Sequence, residues 1–143
     1  REYIRAYFER YPGVRDYVRE TIRFAKLSGY VTTLLNRRRY IPDINSRNYQ
    51  LRSFAERTAM NTPIQGSAAD IIKIAMIKVY RDLKERNLKA RMLLQIHDEL
   101  ILDVPEEELP IVKEILKQDM ENAIPLKVPL VVGFTQGYTW EEL

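Results

Sequence analysis

The sequence predicts an α+β fold for this 143-residue chain, a small antiparallel sheet packed against helices and preceded by a mainly helical segment. Three observations predict it. Apolar residues recur at helical spacing over long stretches. Two pairs of short β-prone runs each flank a tight turn. After residue 63 the order is helix, strand, turn, strand, helix, strand.

Residues 2–11 and 13–28 read as amphipathic helices separated at Tyr11-Pro12-Gly13. In the second, Val14, Tyr17, Val18, Ile22 and Ala25 fall near helical spacing, and Gly29 is a natural stop. Tyr30–Leu34 and Arg38–Ile41 read as strands around Leu35-Asn36-Arg37, where Asn36 tolerates a left-handed backbone. Pro42 ends that unit, and Asn45 or Ser46 is expected to cap the next helix. Residues 47–60 read as a helix that Pro63 interrupts. A second run from Gly66 to Arg86 then sets Ala68, Ile71, Ile72, Ala75, Met76, Val79, Tyr80 and Leu83 on one stripe. Ala90–Ile96 and Leu100–Val104 read as buried strands around His97-Asp98-Glu99, although His-Asp is not a favoured turn pair. Glu106–Ala123 reads as a helix with an acidic first turn that tolerates Pro110, and 129–135 as a last strand.

Composition narrows the function classes. Thirty per cent charged residues and five glycines argue against a disordered chain. No apolar run approaches the roughly 20 residues that span a membrane, so no membrane partner is expected. Arg1-Glu2-Tyr3-Ile4-Arg5 lacks the pattern of a signal peptide, and a start on Arg1 already in helical pattern suggests part of a longer chain. The absence of cysteine excludes disulfides and thiolate metal sites and fits a reducing interior. Net charge is +3, but residues 1–60 hold 13 Lys or Arg against 6 Asp or Glu, whereas residues 61–143 hold 10 against 14. A basic front half rich in Arg suits either a polyanion partner or a solvated helix surface.

Two constellations carry chemistry. Gln95-Ile96-His97-Asp98-Glu99-Leu100 gathers the only histidine and two adjacent carboxylates at the tip of a turn. Carboxylates are hard oxygen ligands suited to Mg²⁺, which takes one or two of them and keeps several waters. Taken alone, such a turn is more often simply solvated. Arg57, Asn61 and Gln65 stand four residues apart, so on a continuous helix they share a face of hydrogen-bond donors. The minor groove of DNA presents an acceptor at every base pair regardless of sequence. Donors there test base-pair geometry without reading the base, as a copying enzyme requires. Pro63 sits between Asn61 and Gln65, and a bend there would leave the triplet a polar solvent face instead.

Together these stretches resemble a known family. Arg37-Arg38-Arg39-Tyr40-Ile41-Pro42, Ala55-Glu56-Arg57-Thr58-Ala59-Met60-Asn61, Pro63-Ile64-Gln65-Gly66-Ser67-Ala68-Ala69-Asp70-Ile71-Ile72-Lys73 and Leu94-Gln95-Ile96-His97-Asp98-Glu99-Leu100 stand in the order and spacing of the family A DNA polymerases, those like bacterial DNA polymerase I. The likeness runs from about Tyr3 to Trp140. It implies that residues 1–44 form the end of the fingers and residues 45–143 most of the palm. Asp98 matches a catalytic aspartate that holds the divalent metals, and Glu99 a supporting carboxylate beside it. His97 matches a contact to the primer terminus, and Arg57, Asn61 and Gln65 match minor-groove contacts to the primer–template. No family role attaches to Arg37, Arg38 or Arg39, for which phosphate contact and local structural pairing both stay open.

The resemblance implies DNA-directed nucleotidyl transfer from a dNTP to a primer 3′-hydroxyl with two Mg²⁺, only part of whose site this chain supplies. The family's other catalytic aspartate belongs to an Asp-Tyr-Ser-Gln-Ile-Glu-Leu-Arg type of motif absent from this sequence, and the nucleotide-binding fingers helix is absent too. The expected partners are primer–template DNA, dNTP and the remainder of a polymerase chain, and the 143 residues alone are expected to be inactive. Asn36 stands where many relatives have glycine, and Asp103 where many have glutamate. Two other readings remain. One is a non-catalytic duplex-binding module, and the other a metal-dependent nuclease using Asp98, Glu99 and Asp103. Glu99 and Asp103 lie four residues apart on a strand, roughly 13 Å, which is too far to share a metal.

Overall fold

Backbone punctuation sets the first elements. The computed structural model describes residues 2–142. Helix α1 (Glu2–Arg10) stops before Tyr11, and Pro12, whose missing N–H costs nothing at a helix start, opens α2 (Pro12–Ser28). Gly29 closes α2 at φ 78°, its N–H bonded to the Ala25 carbonyl at 2.8 Å. Strands β1 (Tyr30–Thr32) and β2 (Arg38–Tyr40) pair antiparallel, Val31 opposite Arg39, with Asn36 at φ 61° in the turn. These elements stand as the sequence predicts.

A 3₁₀ turn at Pro42–Asn45 leads into α3 (Tyr49–Glu85), and here two expectations fail. The cap is Asn48, not Asn45 or Ser46: its Oδ1 accepts from the backbone N–H of Gln50 at 2.8 Å and Leu51 at 3.4 Å. Ser46 instead accepts the N–H of Asn48, and Asn45 donates to the Lys26 carbonyl. Nor does Pro63 end a helix, since α3 runs on through it for 37 residues. An internal proline costs about 3 kcal/mol. Side-chain bonding surrounds this one: Thr62 Oγ1 donates to the Thr58 carbonyl at 2.7 Å, and the Ser67 hydroxyl donates to the carbonyl of Pro63 itself. The far end of α3 closes on Asn87 at φ 53°, with Asn87 N–H to Lys84 O and Leu88 N–H to Leu83 O, both 3.0 Å. That is a Schellman arrangement with asparagine in the usual glycine position.

Strands β3 (Arg91–Ile96) and β4 (Glu99–Asp103) form a second antiparallel hairpin, Ile96 opposite Glu99 and Arg91 opposite Asp103, with an irregularity between Met92 and Leu94. The expected burial of these strands is not found. Each hairpin is its own two-stranded sheet, no β3 or β4 residue is buried, and Leu93 is 57% exposed. A 3₁₀ turn at Glu106–Glu108 precedes α4 (Leu109–Glu121). Glu108 sets the start of β3, accepting the N–H groups of Lys89 and Ala90 at 2.9 Å each. The last predicted strand, 129–135, is absent. A strand needs a ladder partner, and none pairs with it among the described residues. Val131 stays 82% exposed, and the Val132 N–H turns to the Glu121 carboxylate at 3.2 Å. A short 3₁₀ turn at Trp140–Glu142 follows.

The chain divides into two compact units, Arg1–Asp70 and Ile71–Leu143. The core of the first is Ala25, Val31, Ile41, Ile44, Ala55 and Ala59. Ala25 of α2 and Ala55 and Ala59 of α3 are buried in it, and side chains link the two helices where Tyr17 donates to the Met60 carbonyl at 3.1 Å and Lys26 meets Glu56 at 2.7 Å. The core of the second joins Val79 and Leu83 of α3, Ala90, and Val112 and Ile115 of α4, with Leu102 and Val104 packed against it. Of the predicted α3 stripe, Ala75, Val79 and Leu83 are buried, whereas Ala68 and Tyr80 face solvent. Side chains such as Ile115, wholly buried, each contribute roughly 1.5–3 kcal/mol. No helix among the described residues is long and apolar enough to cross a membrane.

Candidate functional site

The donor row belongs to the first unit. Because α3 is continuous through Pro63, the four-residue spacing puts Arg57, Asn61 and Gln65 along one side, about 6 Å apart in rise. All three are exposed. Arg57 Nη1 donates to Ser53 Oγ one turn back at 3.2 Å, which steadies the guanidinium at the N-terminal end of the row. Of the residues between them, Ala59 and Thr62 turn the other way and are buried, whereas Ile64 is exposed. The amphipathic split is therefore donors outward and small residues inward.

A residue pair that the sequence left unassigned stands beside this row. Arg37, in the β1–β2 turn, places Nη2 2.9 Å and Nε 3.0 Å from Asp70 Oδ1, and donates from Nη2 to the Gly66 carbonyl at 3.2 Å. Asp70 is buried. Leu34 N–H donates to Ser67 Oγ at 2.9 Å. A Cβ on Gly66 would stand 2.6 Å from Thr33 Cγ2, so only glycine admits the turn this close. Arg37 thus has local structural pairing. Arg38 packs its guanidinium over Tyr30, 4.7 Å from the ring centre, and both Arg38 and Arg39 are exposed. The signal available in sequence was the pairing of an Arg-rich turn with a Gly-Ser-x-x-Asp stretch, but 33 residues separate Arg37 from Asp70.

The carboxylates belong to the second unit. His97 and Asp98 are the two-residue loop between β3 and β4, and His97 takes φ 54°. A left-handed backbone at a non-glycine residue costs about 1–2 kcal/mol. It allows the tight reversal that a His-Asp pair does not otherwise favour, and the Gln95 side-chain amide donates to the His97 carbonyl. Asp98 is thereby held at the tip, and Glu99 opens β4 beside it; His97, Asp98 and Glu99 are all exposed. Asp103 closes the other end of β4, opposite Arg91. Among the described residues no three His, Asp or Glu side chains gather where a metal ion would sit. The nuclease arrangement of Asp98, Glu99 and Asp103 is therefore not formed. What the tip offers is two adjacent hard-oxygen donors open to solvent.

Comparison with known proteins identifies the family. The family model for DNA polymerase family A matches residues 1–142. DNA polymerase I of Caldicellulosiruptor bescii is 60% identical over 141 residues, covering 99% of this chain and 17% of that protein. DNA polymerase I of Bacillus subtilis is 56% identical over 138 residues, 96% of this chain and 16% of that protein. This chain thus spans about one-sixth of the length of the curated relatives it matches. A solved structure of the polymerase domain of Pol1 from M. smegmatis, in complex with DNA primer-template and dNTP, superposes with a TM-score of 0.84 at 52% identity, over 87% of this chain and 22% of that one. With the matched model extending over all but the last residue, the chain belongs to DNA polymerase family A.

Proposed function

We propose that this chain is a segment of a DNA-directed DNA polymerase that contributes a metal-binding carboxylate and a duplex-gripping helix face to nucleotidyl transfer. The observation that carries the reading is the 52% identity and TM-score of 0.84 to a polymerase domain described with primer-template and dNTP bound. In this reading residues 1–44 belong to the fingers and residues 45–143 to the palm. The partners are primer–template DNA, dNTP and the rest of the polymerase.

Each residue has a role that its chemistry supports. Asp98 is a ligand to the divalent ions, and Glu99 supports it. His97 meets the primer terminus. Arg57, Asn61 and Gln65 donate into the minor groove, where acceptors are nearly independent of sequence. The residues fit a Mg²⁺ site in part: two adjacent exposed carboxylates suit a hard cation that takes few protein ligands, and further ligands have to come from elsewhere. Bound there, the ions would activate the primer hydroxyl and brace the leaving oxygen. The protein's own contribution is to hold Asp98 on a tight two-residue loop and to fix the duplex by a row of donors.

Primer extension by the full polymerase tests the assignment. Asp98→Ala is expected to abolish extension while primer–template binding survives. Extension near the wild-type rate would remove Asp98 from the metal site.

A further inference from the structure

The turn of α3 that carries Gln65 is intrinsically the weakest part of its helix. Pro63, two residues before, has no N–H to donate, and Gly66, one residue after, is a poor helix former. The turn is helical nonetheless, and the bracing comes from β1–β2. Arg37 joins two points on the next turn and a half: Nε and Nη2 both meet Oδ1 of the buried Asp70, and Nη2 also donates to the Gly66 carbonyl. Leu34 N–H fixes the Ser67 hydroxyl, which in turn donates to the Pro63 carbonyl. The carbonyls on either side of Gln65, those of Pro63 and Gly66, are therefore both tied by side chains. The approach is close enough that Gly66 has no room for a methyl group against Thr33. Arg57 and Asn61 lie before Pro63 and outside this bracing.

We propose that Arg37 is a positioning residue for duplex reading by Gln65. Its fork onto Asp70 and Gly66 fixes the rotation of the helical turn that aims the Gln65 amide at a minor-groove acceptor. The inference rests on the donor-row reading given above. Its distinguishing consequence is local: loss of the fork disturbs the Gln65 contact and spares those of Arg57 and Asn61. A role confined to stability would instead lower activity on every substrate alike.

The test uses the full polymerase and primer–templates carrying one 3-deazaguanine at successive positions back from the primer terminus. That base pairs normally but lacks the N3 acceptor. In the unmodified enzyme kcat/KM is expected to fall roughly tenfold at the position Gln65 reads, and in Gln65→Ala that penalty is expected to vanish. Arg37→Ala is expected to shrink the penalty at this same position to about threefold or less, leaving the penalties at other positions intact. Gly66→Ala, which pushes the turn away through Thr33, is expected to do the same. If Arg37→Ala melts too readily to assay, Arg37→Lys carries the test, since lysine keeps the charge near Asp70 but cannot form the fork. A penalty that Gln65→Ala abolishes but the Arg37 and Gly66 variants keep in full overturns the positioning role alone. If Gln65→Ala removes no penalty at any position, the donor-row reading fails and the proposal with it.

Discussion

Arg37 and Asp70, 33 residues apart in sequence, meet at 2.9 Å, with the Asp70 side chain 7% exposed and that of Arg37 54%. The pair ties the β1–β2 turn to α3. A carboxylate this buried gains much from a guanidinium beside it, although the partly exposed arginine moderates the effect. Arg37→Ala is expected to destabilise the protein by about 2 kcal/mol. A thermal melt unchanged by the substitution would show the pair to be energetically idle.

The donor row separates by charge. Arg57 is cationic, whereas Asn61 and Gln65 are neutral donors. In the full polymerase, Arg57→Ala is expected to weaken primer–template binding and to reduce the slope of log affinity against log salt by about 1. Gln65→Ala is expected to lower kcat/KM roughly tenfold with that slope unchanged. Affinity titrations over a series of salt concentrations check both. Equal slopes in the two variants would contradict a phosphate or groove contact by Arg57.

Much of this was legible in the sequence because the signals are local. Gly29 ends α2 and Asn36 turns β1 into β2 through backbone conformations that those residues adopt cheaply. The donor spacing in α3 was equally plain. What escaped depends on distant partners. Pro63 reads as a helix breaker because the turn at Leu34 and Arg37, which ties the Ser67 hydroxyl and the Gly66 carbonyl, cannot be placed beside it from sequence. The apolar run 129–135 has the composition of a strand, but composition does not supply a ladder, and Val131 is left 82% exposed. The tip at Asp98 shows the same limit chemically: its residue types suit a hard cation or plain solvent equally, and a ligand set is a matter of which carboxylates meet.

That limit yields a prediction about the 143 residues on their own. Among the described residues no group of three His, Asp or Glu side chains could hold a metal ion, and one or two carboxylates bind Mg²⁺ weakly without substrate phosphates or further ligands. The isolated chain is expected to give no templated extension of a primer with Mg²⁺ and all four dNTPs, checked on a denaturing gel. Robust templated synthesis would show that Asp98 and Glu99 suffice.

Asp119 supplies a prediction with a sign in pH. It lies on α4, 7% exposed, and its Oδ2 has no hydrogen-bond partner among the described residues. Burial pushes its carboxyl above the ordinary 3.8; Asp82 pushes the same way, while Lys78 and Arg86 oppose. Folding therefore favours the protonated form of Asp119 more than the unfolded chain does. The stability this group allows is complete below the unfolded value of 3.8 and is lost as pH rises through the raised folded value. Asp119→Asn keeps the shape of the protonated acid and cannot ionise. At pH 7 the variant is expected to be the more stable of the two, and the difference is expected to close as pH falls below 3.8. Urea denaturation of both proteins across that range measures it. A variant less stable at pH 7 would mean that attraction to Lys78 and Arg86 outweighs the cost of burying the charge.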